Sequence, residues 1–111
     1  MKLSEIKGER VFDVIAEIID PIVSIAEDED AADLFKPKEL PKGMEPWGFF
    51  LSRVKRSLPP LVKRHKGEIC KIMASLNDVS VEDYTKELTI PKLFSDMTEL
   101  LTDQEFTAFF K

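Results

Sequence analysis

The side chains that could do chemistry are few. His65 is the sole histidine and Cys70 the sole cysteine among 111 residues. His65 and Glu68 stand three apart and would share a face of a helix, but one imidazole and one thiol do not make a set of soft ligands for zinc. Within the run Lys63-Arg64-His65-Lys66 the pair reads as solvated surface. Cys70 lies five residues beyond His65, on a different side of the same predicted helix and beside its apolar stripe, where a thiol acts as a small buried hydrophobe rather than a nucleophile. Asp28, Asp30 and Glu39 fall at positions 1, 3 and 12 of a calcium loop. The loop fails, because position 5 is Ala32, position 6 is Asp33 where the sharp turn needs glycine, and Pro37 interrupts it. Four glycines leave no room for a phosphate-cradling loop, and no general acid and base pair is visible. The residues therefore predict no metal, no cofactor and no catalysis, and leave binding as the work of the chain.

Two sets of residues could carry binding. Arg53, Lys55, Arg56, Lys63, Arg64 and Lys66 gather on two successive predicted helices, a basic surface suited to phosphates or to an acidic protein. Phe49 falls off the inward stripe of its helix, and Phe106, Phe109 and Phe110 crowd the end of the sequence, where they either close the core or meet a partner. Charge is segregated: residues 1–34 hold three Lys/Arg against ten Asp/Glu, residues 35–66 nine against two, and residues 67–111 four against nine. The blocks nearly cancel, which favours pairing inside the fold or between copies of the chain. An overall charge of −5 and acidic flanks argue against nucleic acid, which stays as the alternative partner of the 53–66 segment.

The elements that position these residues are helical. Val11, Val14, Ile15, Ile18, Ile22 and Ile25 recur at helical spacing between Gly8 and Glu27, with Phe12, Ile19 and Val23 as a second stripe beside them. So wide an apolar surface must be covered on more than one side, by the domain or by another copy. Pro21 either kinks this helix or restarts it behind an Asp20 cap, and the unbroken stripe favours the kink. Residues 27–46, with Pro37, Pro41, Pro46 and Gly43, form a long connection in which Asp30 to Phe35 can make a helical turn. Helices are expected from Trp47 to Leu58, ended by Pro59-Pro60, then from Pro60 to Leu76, with Gly67 its weak point and Asn77 at its left-handed end. Ser80 with Asp83 caps a helix from Val81 to about Leu88. Pro91 opens another with Leu93, Phe94, Met97, Leu100 and Leu101 buried, and Thr102 with Glu105 caps a last turn or two. No stretch alternates in the manner of a strand. The prediction is an all-α, single-domain bundle of about five to six helices over residues 1–111, without a β-sheet.

With 43% apolar and 33% charged residues the chain should fold. The apolar stretch from Val11 to Ala26 is broken by Asp13, Glu17 and Asp20, too short of apolar residues for a membrane span. A lone cysteine and no evident leader point to a reducing, cytoplasmic setting.

Met1-Lys2-Leu3-Ser4-Glu5-Ile6-Lys7-Gly8, followed by the segment from Asp13 to Ile22 with its Ile18-Ile19-Asp20-Pro21-Ile22 end, resembles the tail assembly chaperones of long-tailed bacteriophages and prophages of Gram-positive bacteria. The likeness continues through Leu61-Val62-Lys63-Arg64-His65-Lys66, Met73-Ala74-Ser75-Leu76-Asn77 and Val81-Glu82-Asp83-Tyr84. It is a loose pattern over most of the chain, without an invariant motif. The resemblance implies a non-enzymatic protein that solubilises the tape measure protein, recruits tail tube subunits around it, self-associates, works in the host cytoplasm and is absent from the mature virion. In that family a ribosomal frameshift often appends a second domain, and the Phe-rich end before Lys111 would suit such a junction. The family has no catalytic residues to transfer.

Overall fold

A computed structural model describes residues 3–36 and 39–110. Pro37 of the long connection and Lys111 lie outside the described residues. A 3-10 turn at Leu3–Glu5 leads to α1 (Arg10–Ala26), then α2 (Glu29–Ala32), α3 (Pro46–Arg64), α4 (Lys66–Leu76), α5 (Val81–Glu87), α6 (Ile90–Thr102), α7 (Gln104–Thr107) and a closing 3-10 turn Ala108–Phe110. No strand occurs among the described residues, and the helices form one globule.

The pair α1 and α4 is the spine. They run antiparallel: Arg10 Nη2 donates to the carbonyls of Ser75 (2.7 Å) and Leu76 at the end of α4, and Ser24 Oγ near the end of α1 donates to Glu68 at the start of α4 (2.9 Å). A cation on the last carbonyls of a helix is favoured there by the dipole and by their lack of helical partners. Between the helices pack Ile18, Ile22 and Ile25 of α1 and Ile69, Ile72, Met73 and Leu76 of α4. The core continues through Ala31 and Ala32 of α2 to Phe35, whose ring stacks on Phe110 at 5.0 Å and meets the edge of Phe106 at 5.4 Å. The expected helical turn within Asp30 to Phe35 is present as α2, and Ala31, Ala32, Leu34 and Phe35 are all buried.

Three boundaries differ from expectation. The helix α3 does not end at Pro59-Pro60 but passes through both to Arg64. The hydrogen bonds lost there would have used the carbonyls of Lys55 and Arg56, which lie on the exposed side and can be hydrated. The break falls instead at His65, whose φ of −127° and ψ of 24° are not helical. The left-handed residue after α4 is Asp78 (φ 57°) rather than Asn77. The cap of α7 is Asp103, which accepts from the amides of Glu105 (3.0 Å) and Phe106 (3.3 Å), while the Thr102 hydroxyl turns back onto Thr98 O (2.9 Å). Pro21, by contrast, sits within one continuous α1, as the unbroken stripe implied, and Ser80 caps α5 through the Asp83 amide at 3.0 Å.

Candidate protein-binding face

His65 is not solvated surface. Its ring is buried at the α3–α4 junction, with Nε2 2.8 Å from Asp28 Oδ2 and Nδ1 3.6 Å from Glu68 Oε1. Arg64 Nη1 also reaches Asp28 Oδ2 at 3.3 Å, and Arg64 Nη2 reaches Asp30. The hydrogen bond from His65, with the Ala31 amide and Arg64 beside it, outweighs partial burial and holds the Asp28 carboxyl below its ordinary range. Burial raises the Glu68 carboxyl, but Ser24 Oγ, its backbone amide and His65 together bring it below the usual value. Sequence reasoning paired His65 with Glu68 and missed Asp28, which lies 37 positions away. The cluster joins α1, α2 and the α3–α4 break, and acts as a staple. No group of three or more metal-ligating side chains occurs among the described residues.

The basic segment is partly consumed by the fold. Arg53 Nη2 donates to the carbonyls of Asp33, Leu34 and Lys36, closing the turn after α2, and its guanidinium also lies over the Phe49 ring at 5.8 Å. Arg64 is paired with Asp28 and Asp30. Of these two arginines expected as partner contacts, Arg64 thus ties the basic block to the acidic one through Asp28 and Asp30 while its side chain stays 53% exposed, and Arg53 is engaged by backbone carbonyls rather than by carboxylates. Phe49 is half-buried under Arg53 rather than presented to a partner. Lys55, Arg56, Lys63 and Lys66 are exposed. Arg64 is also exposed, despite its two ion pairs.

The aromatic end divides. Phe106 and Phe110 are core residues, 0% and 4% exposed, and their assignment as partner contacts is corrected: they interlock with Phe35 as the lid of the core. Phe109 alone faces outward and is about half exposed. It borders a groove of about 240 Å³ with Leu3, Ile6, Val11, Ile15 and Ile18.

That groove opens onto the largest departure from an ordinary monomer surface. On α1 the first stripe is buried at Val14, Ile18, Ile22 and Ile25, as expected, but Ile15 is exposed and the whole second stripe is uncovered: Phe12 76%, Ile15 52%, Ile19 38% and Val23 45%. At about 100° per residue, these four form one row along the helix. The buried row lies on one side of it and Glu9, Asp13, Asp20 and Glu27, all exposed, on the other. Spacing alone predicted that α1 needed covering on more than one side; the domain supplies only one. A second apolar surface, Trp47, Phe50 and Leu51, is exposed on the first turns of α3, with Trp47 and Phe50 stacked at 5.7 Å. Phe94 on α6, expected inside, is also exposed. No described helix is long and apolar enough to cross a membrane. Comparison with known protein families, curated proteins and solved structures returns no match.

Proposed function

We propose that this protein is a non-enzymatic tail assembly chaperone of a long-tailed bacteriophage or prophage, and that the uncovered row on α1 holds apolar-striped helical segments of the tape measure protein. The observation that carries the reading is that row: four large apolar side chains at helical spacing along a 17-residue helix, bordered on one side by carboxylates. A helix is the complementary shape, since its own i, i+3, i+4, i+7 residues lie against such a row in a groove. The groove beside Phe109 extends the row toward the first turn of the chain and would seat one further anchor. The resemblance of the opening residues and of the Val81-Glu82-Asp83-Tyr84 turn to the chaperones supplies the identity of the client and of the tail tube subunits recruited with it. It also supplies the setting, the host cytoplasm, and absence from the finished particle.

Coexpression with the tape measure protein tests the reading. Retention of the tape measure protein in the soluble fraction, and its capture with the chain, is expected. Replacing Ile15 and Ile19 together by Glu should abolish both without altering the far-ultraviolet circular dichroism. Failure of the wild-type chain to associate with or solubilise the tape measure protein would remove the proposal. The nucleic-acid alternative has less support, because Arg53 is held by backbone carbonyls and Arg64 is paired with Asp28 and Asp30.

A further inference from the structure

We propose that the α1 row selects its client by charge as well as by shape, taking amphipathic helices whose apolar stripe is edged by lysine or arginine recurring every seven residues. The inference rests on the reading of the row as the client site and adds which helices that site accepts. Asp13, Asp20 and Glu27 are spaced by seven along α1 and its C-cap, and Glu9 stands one turn before Asp13. Seven residues are almost two full turns, so successive carboxylates fall about 10 Å apart and nearly in line. The line runs beside Phe12, Ile15, Ile19 and Val23 for the length of the helix. All four carboxylates are exposed, and none has a hydrogen bond or ion pair through its side chain among the described residues. The neighbouring carboxylates that face the domain are already engaged: Glu17 accepts from Ser75 Oγ at 2.6 Å and Glu68 from Ser24 Oγ at 2.9 Å. Arg10, the only cation in the α1 sequence, is turned to the carbonyls at the end of α4 and to Asp78.

A helix laid along the row sets its stripe on the apolar side chains and one edge of that stripe over the carboxylate line, as flanking positions meet across the seam of a coiled coil. Cations at that edge find acceptors that nothing in the fold has taken. Carboxylates there meet like charge with no donor beside it, so acid-edged helices are rejected. On the other edge of the row stands the domain itself, with Phe109 and Glu105 at the groove.

Three labelled helical peptides that share one apolar stripe test this by fluorescence anisotropy against the full chain. One carries lysines every seven residues along an edge of the stripe, one carries the same lysines on the face opposite the stripe, and one carries glutamates at the edge. At about 50 mM salt the edge-lysine peptide should bind about tenfold tighter than the outer-lysine peptide, the combined effect of a few exposed ion pairs of ordinary strength. The edge-glutamate peptide should bind weakest. Raising salt to about 500 mM should shrink the edge-lysine advantage several-fold. Asp13→Asn/Asp20→Asn/Glu27→Gln should bring the two lysine peptides to equal affinity. Asp13→Lys/Asp20→Lys/Glu27→Lys should invert the order, so that the edge-glutamate peptide binds best. These side chains are exposed, so far-ultraviolet circular dichroism should stay unchanged in both variants. Equal binding of the edge-lysine and outer-lysine peptides by the wild type, still abolished by Ile15→Glu/Ile19→Glu, would overturn the charge selection and leave the row as the client site. An edge-lysine preference that survives the three lysine substitutions would overturn it as well. Binding of no peptide at all would remove both this inference and the reading beneath it.

Discussion

At the scale of single residues, the buried polar groups act as joints between elements distant in sequence. Asp28 shows how one carboxylate can cap α2 through the Ala31 amide, receive His65 and attract Arg64. Its folded pKa is depressed below the ordinary 3.8. The stabilisation is therefore fully present above about pH 3.8 and is lost as the pH falls through the lower folded value. Urea midpoints measured from about pH 6 to about pH 2 should fall steeply at the acid end for the wild type. They should fall less steeply for Asp28→Asn, which starts from a lower midpoint at neutral pH. Tyr84 makes the second joint: its hydroxyl donates to Asp96 at 2.6 Å in a buried site, and burial followed by this carboxylate pushes the phenol well above its usual range. Tyr84→Phe removes the hydroxyl while Lys92 Nζ still serves Asp96 at 3.1 Å. A loss of about 1–2 kcal/mol in denaturant unfolding is expected, less than for Tyr84→Ala, which also empties the core.

Among the elements, what the sequence disclosed depended on whether the cause was local. The helix type of α1, the Ser80 cap of α5 and the proline start of α6 follow from spacing and from residues within one turn, and these agree with the structure. The ends of α3 and α7 were misread because their causes are remote. His65 breaks the helix where Asp28 and Glu68 hold its ring, which no reading of the Pro59-Pro60 neighbourhood could reveal. Asp103 displaces Thr102 as the cap of α7 because its other oxygen accepts the Leu3 amide at 2.7 Å, fixing the first turn of the chain to the last helix. The candidate site was legible in the same partial way. The apolar excess on α1 was visible in the sequence, but which row stays bare depends on α4 occupying the other. Asp103→Ala should cost about 1–3 kcal/mol, since three amides lose their acceptor at a buried site. Thr102→Ala should change thermal unfolding by less than about 0.5 kcal/mol.

For the molecule as a whole, the balance of surfaces points to association. Covering Phe12, Ile15, Ile19 and Val23 from their present exposure would contribute on the order of 5 kcal/mol before the entropic cost of binding is subtracted. A single row therefore gives weak, reversible capture, and firm hold on a client requires several rows along one rod. Weak contacts repeated along a rod would suit the proposed chaperone role, in which the client is later released. Surface exposure of the row also separates binding from folding: Ile15→Glu/Ile19→Glu should bind no client while its midpoint of thermal unfolding stays at or above that of the wild type. The central claim, that the bare row of α1 is the surface that holds amphipathic helices, is tested most directly by mapping backbone amide chemical shifts during titration with a helical peptide from the tape measure protein. Shifts concentrated on α1 between Phe12 and Val23, and at Phe109, are the predicted result. Shifts confined to Lys55, Arg56, Lys63 and Lys66, or none at millimolar peptide, would contradict it.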